Sequence, residues 1–147
     1  MDPRHWQRRR GVVQLLINID VDDLEKAVRF YEAALSLNVG RRFGAGVVEM
    51  VGGSAPVYLL HKPEGTRVSR ATAQRRAYRR HWTPVHLDVV VPDIDAAVEK
   101  ALAAGAQLEQ PAATYPWGRL ALMADPFGHG FCLVEFLGRG YDEISDR

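Results

Sequence analysis

The sequence predicts an α+β protein built from two tandem βαβββ modules. Three observations support this prediction: an internal repeat, a change of apolar periodicity inside each repeat, and short β-prone runs divided by glycine-containing turns. In the repeat, residues 16–30 align with residues 86–100, so that Asp23 falls on Asp93. A duplicated unit fixes the architecture before any single motif is considered.

The first module begins with alternating apolar residues from Val13 to Val21, which is typical of a half-buried strand. Apolar residues then follow at helical spacing from Leu24 to Leu35, and Asp23 stands where a helix N-cap is expected. Three further strands are predicted at 41–43, 47–51 and 57–60, divided by Gly44-Ala45-Gly46 and Gly52-Gly53-Ser54.

The second module repeats this order. Apolar residues alternate from Val85 to Val91, Asp93 is the expected N-cap of a second helix, and Gly105 is its expected end. Three further strands are predicted at 107–109, 119–124 and 130–136, the last two divided by Asp125-Pro126-Phe127-Gly128.

Length and composition favour one ordinary globular domain. The chain has 147 residues, with 47% hydrophobic and 25% charged residues, which is typical of a folded protein with a sizeable core. We divide it into a basic N-terminal extension (1–12), the first module (13–61), an arginine-rich linker (62–82), the second module (83–137) and a C-terminal tail (138–147).

Charge and cysteine content exclude several classes of partner and compartment. The 19 basic and 18 acidic side chains leave a net charge of +1, so no global field favours nucleic acid or an anionic membrane. Cys132 is the only cysteine, which precludes an internal disulfide. Because residues 1–10 contain no apolar run typical of a signal peptide, we predict a cytoplasmic protein.

The first strand of each module carries a polar face. Helices are expected to cover the face that bears Ile17 and Leu87, so the opposite face must point toward water or a hollow, because unpaired buried polar groups cost about 1–3 kcal/mol each. A cup with a wet interior meets this condition and predicts ligand binding inside it. The polar residues on this face are Asn18, Asp20, His86 and Asp88.

The sequence resembles the vicinal oxygen chelate superfamily, which includes glyoxalases, bleomycin-resistance proteins and extradiol dioxygenases. The likeness spans about residues 15–137. It is carried by Asp23-Leu24 with Ala27, Phe30-Tyr31 and Leu35, by Pro116-Trp117-Gly118, and above all by Asp125-Pro126-Phe127-Gly128-His129 before an apolar strand. The resemblance implies an eight-stranded, cup-shaped mixed sheet with helices on its outer face, usually assembled as a homodimer.

The resemblance also implies where a metal would bind. In metal-dependent relatives the ligands lie on the first and last strands of each module, and the equivalent residues here are Leu16, Tyr58, His86 and Cys132. Only His86 matches, whereas a catalytic metal needs about three suitable protein ligands. We therefore expect no cofactor and no metal, with a divalent metal held by unrecognised ligands as the less favoured alternative.

Several candidate site residues have two interpretations. His86, with Asp88 two residues further on, is either a general base or ligand-orienting donor, or a neutral core histidine. Cys132 is a nucleophile only if its thiolate is stabilised, and is otherwise a small buried side chain. Tyr58 is expected to line the pocket.

Three further residues concern the edges of the predicted site. Trp117 forms either an aromatic wall or a plug at the sheet edge, and His129 is expected to be structural. Strand alternation places Glu135 outside the cup unless the strand contains a bulge, so we expect a surface or dimer-contact role for it.

The favoured functional hypothesis is metal-independent binding of a small organic molecule, as in sequestration by bleomycin-resistance proteins. The expected ligand-contacting residues are Asn18, Asp20, Tyr58, His86, Asp88, Cys132 and Trp117. One alternative is a metal-dependent enzyme: a glyoxalase-like lyase, an isomerase or a dioxygenase. A second alternative is an accessory module whose arginine-rich linker docks an acidic partner. We expect this linker to be solvated; the competing interpretation is an anion-binding flap over the ligand.

Overall fold

The computed structural model describes residues 12–146 and confirms the predicted fold class. Each module contains four strands and one helix in the order βαβββ. The first comprises β1 (Ile17–Val21), α1 (Leu24–Leu35), β2 (Asn38–Phe43), β3 (Val47–Val51) and β4 (Val57–His61). The second comprises β5 (Leu87–Val90), α2 (Ile94–Ala104), β6 (Gln107–Tyr115), β7 (Gly118–Ala124) and β8 (Gly130–Phe136), followed by a 3₁₀ turn at Gly140–Glu143.

The strands form two four-stranded mixed sheets, one in each module. Their orders are β1-β4-β3-β2 and β5-β8-β7-β6. In both sheets the first strand of the module runs parallel to the last, and the remaining pairs are antiparallel. The chain divides into two compact units between Ala77 and Tyr78.

Both helices begin as the sequence predicts, and α2 also ends at its predicted residue. The Asp23 carboxylate accepts a hydrogen bond from the backbone N–H of Lys26, and Asp93 does the same for Ala96. Each cap satisfies one of the donors left unpaired in a first helical turn. At the C-terminus of α2, Gly105 adopts φ 114°, the left-handed conformation that glycine tolerates best.

Each helix packs against its own sheet and buries one of its faces. Helix α1 contacts β2, β3 and β4, and α2 contacts β6, β7 and β8. The apolar residues on the helix-covered faces of the strands are buried, and in β8 the neighbouring Cys132 and Val134 on the opposite face are buried as well. Those on the covered faces include Val48, Met50, Val57 and Leu59 in the first module and Ala121, Met123, Phe131 and Leu133 in the second.

The first strands of both modules are shorter than predicted. Strand β1 begins at Ile17, and Val13 is 86% exposed. Strand β5 begins at Leu87, and Val85 is also exposed. Apolar alternation alone does not make a strand, because the backbone needs a hydrogen-bonding partner; the register of β1 with β4 starts only at Ile17 and Val57.

The arginine-rich linker is attached to both units. Before the division, Arg76 donates hydrogen bonds to the Asp20 carboxylate at 2.7 Å and to the carbonyl of Arg67 at 2.7 Å. After it, Arg80 forms a two-bond ion pair with Glu109 at 2.7 and 2.8 Å. Two of the linker arginines thus stabilise the modules that they adjoin.

The Asp125 motif is a structural turn between β7 and β8. The buried Asp125 carboxylate accepts hydrogen bonds from the backbone N–H groups of Phe127, at 2.8 Å, and His129, at 2.9 Å. The ring of His129 lies edge-on to Tyr78. Asp125 is therefore needed to satisfy the backbone N–H groups of this turn. Phe127, which lies within the turn, is fully buried.

Neither helix among residues 12–146 is long and apolar enough to cross a membrane. The predicted N-terminal extension lies outside the described residues, apart from Val12.

Candidate functional site

The face of each sheet that carries no helix is called here its open face. In the first sheet it bears Asn18, Tyr58 and Glu49, which are neighbours across three strands, since Tyr58 is paired with Asn18 in one direction and with Glu49 in the other. Asn18 is exposed and Tyr58 is half-buried. The structure therefore brings two of the predicted residues together and adds a carboxylate to them.

Glu49 is fully buried, with 0% of the residue exposed. Its carboxylate accepts hydrogen bonds from the Arg41 backbone N–H at 3.1 Å, from Nε and Nη2 of the Arg41 side chain at 3.1 and 2.7 Å, and from the Tyr58 hydroxyl at 3.0 Å. A buried carboxylate is tolerated when its lone pairs are satisfied in this way. The hydrogen bonds from Arg41 hold the pKa of Glu49 below its usual value, although burial acts in the opposite direction.

A β-bulge in β2 creates this arrangement. The register between β2 and β3 shifts between Val39 and Arg42, and the N–H of Arg41 points at the carboxylate of Glu49 instead of at a backbone carbonyl. A Cβ on Gly40 would lie 2.6 Å from Glu49 Oε1, so only glycine fits there without displacing the carboxylate. Bulges commonly re-aim side chains beside functional sites.

Arg41 and Arg42 point to opposite faces of the first sheet. The Arg42 guanidinium pairs with Glu25 of α1 at 2.8 Å, on the covered side. The Arg41 guanidinium lies 5.2 Å from the centre of the Phe43 ring, which is itself 6.4 Å from the Tyr58 ring. The open face of the first sheet thus presents a half-exposed guanidinium beside an exposed aromatic ring.

Asp20, the third predicted residue of the first module, has a partner in the linker. Arg76 donates a hydrogen bond to its carboxylate at 2.7 Å; the Arg76 side chain is 13% exposed and that of Asp20 is 29% exposed. The flap hypothesis assigns Arg76 to an external anion. In this structure that guanidinium is engaged by Asp20, so an incoming anion would have to compete with an internal carboxylate.

The open face of the second sheet gathers three predicted residues. His86 Nε2 lies 3.2 Å from Asp88 Oδ1, and Asp88 pairs in register with Cys132 of the neighbouring strand. The Trp82 ring, 56% of whose residue surface is exposed, lies 5.2 Å from the His86 ring. Because Nε2 faces Asp88, the other ring nitrogen of His86 takes no part in that contact.

The Cys132 thiol is protonated at neutral pH. Burial raises its pKa to about 11, and the nearby Asp88 charge and a hydrogen bond to Asp88 act in the same direction. A nucleophilic cysteine needs the opposite environment, in which positive charge stabilises the thiolate. Cys132 is therefore a buried donor to Asp88 in this geometry.

The residues at the family's metal positions do not form that family's metal centre. Leu16 carries no donor atom, Tyr58 donates its hydroxyl proton to Glu49, and Cys132 holds its proton. A different set does come together within the second module: ligand atoms of His86, Asp88 and Cys132 all lie within 4.8 Å of one another. Nitrogen, oxygen and sulfur donors in that number match a three-ligand site for a borderline metal such as zinc.

Trp117 belongs to an aromatic cluster at the start of β7. Its ring stacks on Tyr115 at 5.4 Å with an interplanar angle of 3° and lies 5.2 Å from Tyr141 of the 3₁₀ turn. Phe136 at the end of β8 contacts both Trp117 and Tyr141. None of these four ring contacts involves His86.

Glu135 lies on the helix-covered side of β8, as strand alternation predicts. Its carboxylate accepts a hydrogen bond at 3.0 Å from the backbone N–H of Ile94, the first residue of α2. A negative group at a helix N-terminus is favourable. Glu135 therefore stabilises the start of α2.

Sequence reasoning missed Glu49 and Arg41. The signal was present for Glu49, which interrupts an otherwise apolar run at 47–51, since a charge in such a strand is buried only when paired. The signal for Arg41 was absent, because a bulge depends on pairing between strands and cannot be seen in one strand alone.

Tandem βαβββ modules with polar open faces define a protein of the vicinal oxygen chelate superfamily. The family model described as a glyoxalase-like domain matches residues 16–134, and the chain belongs to this family.

Two curated relatives come from Streptomyces. The anthracycline biosynthesis protein DauV of Streptomyces sp. (strain C5) is 33% identical over 132 residues, which are 88% of this chain and 43% of DauV. The anthracycline biosynthesis protein DnrV of Streptomyces peucetius is 34% identical over 127 residues, 85% of this chain and 42% of DnrV. The chain spans less than half the length of these relatives.

A solved structure shares the fold. The antibiotic-binding protein TnmS3 of Streptomyces sp. CB03234 superimposes with a TM-score of 0.60 at 21% identity, covering 88% of this chain and 100% of TnmS3. At this identity the likeness shows the fold alone.

Proposed function

We propose that this protein binds a small organic molecule on the polar open faces of its sheets, without a metal. The observation that carries the proposal is the chemistry of the residues equivalent to the metal ligands of the family. Among them, Leu16 has no donor atom and the Tyr58 hydroxyl is hydrogen-bonded to Glu49. Half-exposed polar groups beside exposed aromatic rings, such as Arg41 with Phe43, are typical of a small-molecule site.

The relatives support this proposal. DauV and DnrV are described as anthracycline biosynthesis proteins and TnmS3 as an antibiotic-binding protein. We therefore place planar aromatic natural products first among the ligand classes to test. The expected residues for contact with the ligand are Asn18, Asp20 and Tyr58 in the first module, and His86, Asp88, Cys132 and Trp117 in the second.

A second candidate function is that of a metal-dependent enzyme of the same superfamily. The observation that favours it is the convergence of His86, Asp88 and Cys132 within the second module. Metal loading would require loss of the Cys132 proton, and burial opposes that loss. We rank this candidate second for that reason.

Metal content separates the two candidates. The protein is purified without chelator and without a metal-affinity tag, and its metals are measured by mass spectrometry beside His86→Ala and the control His61→Ala, which changes an exposed histidine at the end of β4. We expect far less than one metal per chain in all three proteins. A stoichiometric metal that His86→Ala loses and His61→Ala retains would overturn the metal-independent proposal.

Ligand binding is tested by thermal shift with a panel of anthracyclines and simpler aromatic compounds. A compound at 100 times its dissociation constant adds about 2.7 kcal/mol of stability, which is readily measured as a rise in Tm. Binding of one or more compounds by the metal-free protein supports the proposal. If no organic compound raises Tm while a divalent metal does, the metal-dependent candidate takes its place.

A further inference from the structure

The Arg41 guanidinium is held rigidly, yet it has donors left over. Glu49 engages Nε and Nη2 along one edge of the guanidinium group. Nη1 is not used by Glu49; among the described residues the Arg41 side chain also forms a hydrogen bond with Tyr58 and lies against the Phe43 ring. The edge formed by Nη1 and the second N–H of Nη2 is therefore the edge that Glu49 leaves unused.

Solvent reaches the Arg41 side chain, which is 35% exposed, whereas its partner Glu49 is fully buried. A guanidinium fixed along one edge by a buried carboxylate presents two parallel N–H groups at the other edge. This fork fits a second carboxylate with two hydrogen bonds, and its fixed position lowers the entropy cost of binding.

The neighbouring group defines the rest of the ligand. Phe43 is 45% exposed and lies against the Arg41 guanidinium, 5.2 Å from ring centre to Cζ. An exposed aromatic face beside a cation is a surface on which a planar ring can stack. A ligand that uses both groups combines an aromatic ring with a carboxylate.

We propose that Arg41 and Phe43 form a recognition site for planar aromatic carboxylates on the open face of the first sheet. Glu49 is its positioning residue, because it fixes the guanidinium, and Gly40 leaves the space that Glu49 occupies. The inference rests on the proposed small-molecule function and names a ligand class for it. Because Glu49 already neutralises Arg41, the preference for aromatic carboxylates comes from hydrogen bonding and stacking, not from net charge.

The test compares three small probes by calorimetry at pH 7.5. 2-Naphthoate has both the ring and the carboxylate, 2-naphthamide has the ring without the charge, and cyclohexanecarboxylate has the charge without the ring. We expect 2-naphthoate to bind about tenfold more tightly than either of the others, a difference of about 1.4 kcal/mol.

Variants identify the residues responsible. The double variant Arg41→Gln with Glu49→Gln removes both charges together, so that no buried charge is left unpaired; it should abolish the preference for naphthoate over naphthamide. Phe43→Leu should weaken both aromatic probes. Arg42→Gln, the matched control on the covered face, should leave all three affinities unchanged. Tm measurements confirm that each variant is folded.

Failure of this inference and failure of the proposed function give different results. If the wild-type protein binds compounds of the thermal-shift panel but shows no preference for 2-naphthoate, or if the folded double variant keeps that preference, the recognition site is wrong and the proposed function stands. If the protein binds no compound in either set, both are wrong.

Discussion

Tyr58 and Cys132 occupy equivalent positions in the two modules, since each is paired across parallel strands with the same residue of the repeat, Asn18 or Asp88. Both donate to a carboxylate, but the carboxylates come from different strands: Glu49 of β3 for Tyr58 and Asp88 of β5 for Cys132. The hydrogen-bond donor therefore occupies the same position in both modules, whereas the carboxylate that accepts from it lies on a different strand in each. The two open faces consequently offer different chemistry.

The high pKa of Cys132 predicts slow thiol chemistry. A rise from 9.0 to about 11 reduces the thiolate fraction about a hundredfold at any pH below 9. Alkylation by iodoacetamide should therefore be slow at pH 7.5 and rise with an apparent pKa near 11. Asp88→Asn removes a negative neighbour and should shift that profile to lower pH. Rapid alkylation of folded wild-type protein at pH 7.5 would contradict the assignment of Cys132 as a protonated donor.

The lowered pKa of Glu49 predicts that part of the free energy of unfolding is lost at acid pH. Hydrogen bonds from Arg41 lower its pKa in the folded protein below the ordinary value of 4.5. The carboxylate therefore contributes stability above pH 4.5 that is lost as the pH falls through the lower folded pKa. Urea unfolding between pH 3 and pH 6 should show a shallower pH dependence for Glu49→Gln than for the wild type. Glu25→Gln, which alters an exposed pair with Arg42, is the control; equal slopes for Glu49→Gln and the wild type would refute this account.

At the scale of elements, the start of β7 depends on glycine. Gly118 has φ 156°, and a Cβ there would lie 2.2 Å from the backbone oxygen of Glu135. We expect Gly118→Ala to destabilise the protein by at least about 2 kcal/mol, because β7 and β8 must separate to admit the methyl group. Gly46→Ala is the matched control, since a Cβ at that turn meets nothing within 4 Å. Equal unfolding midpoints in denaturant for the two variants would contradict the prediction.

The sequence predicted which elements exist better than it predicted their lengths. Both helices were recognised because an N-cap and a change of period are local signals. Strand β6 extends from Gln107 to Tyr115, well beyond the predicted 107–109. Its polar residues and Pro111 are not typical of a strand, and the strand forms because pairing with β7 provides its hydrogen bonds. For β1 the prediction was too long, because the alternating apolar residues begin at Val13 but pairing with β4 begins only at Ile17.

At the scale of the whole molecule, the repeat was the strongest sequence signal, because it paired the first strand and the helix of one module with those of the other; the remaining strands were predicted from β-prone runs divided by turns. The site was only partly predictable. His86, Asp88 and Cys132 share a face because of strand period and of the pairing between β5 and β8; the period was visible in the sequence, and the family resemblance implied the position of Cys132. The contact of Arg41 with Glu49 depends on a bulge, and that of Asp20 with Arg76 spans a long loop. Neither has a signal in local sequence.

Dimerisation remains a prediction, which the residues preceding β1 allow to be tested. Val13, Leu15 and Leu16 are 86%, 70% and 49% exposed, and a run of exposed apolar residues beside an edge strand is typical of an interface. We expect the wild-type protein to sediment as a dimer at micromolar concentration and Leu15→Glu to shift it toward monomer. Leu102→Glu changes an exposed leucine of α2 and should leave the dimer intact. A monomeric wild type, or equal effects of the two substitutions, would show that the residues before β1 do not form a dimer interface.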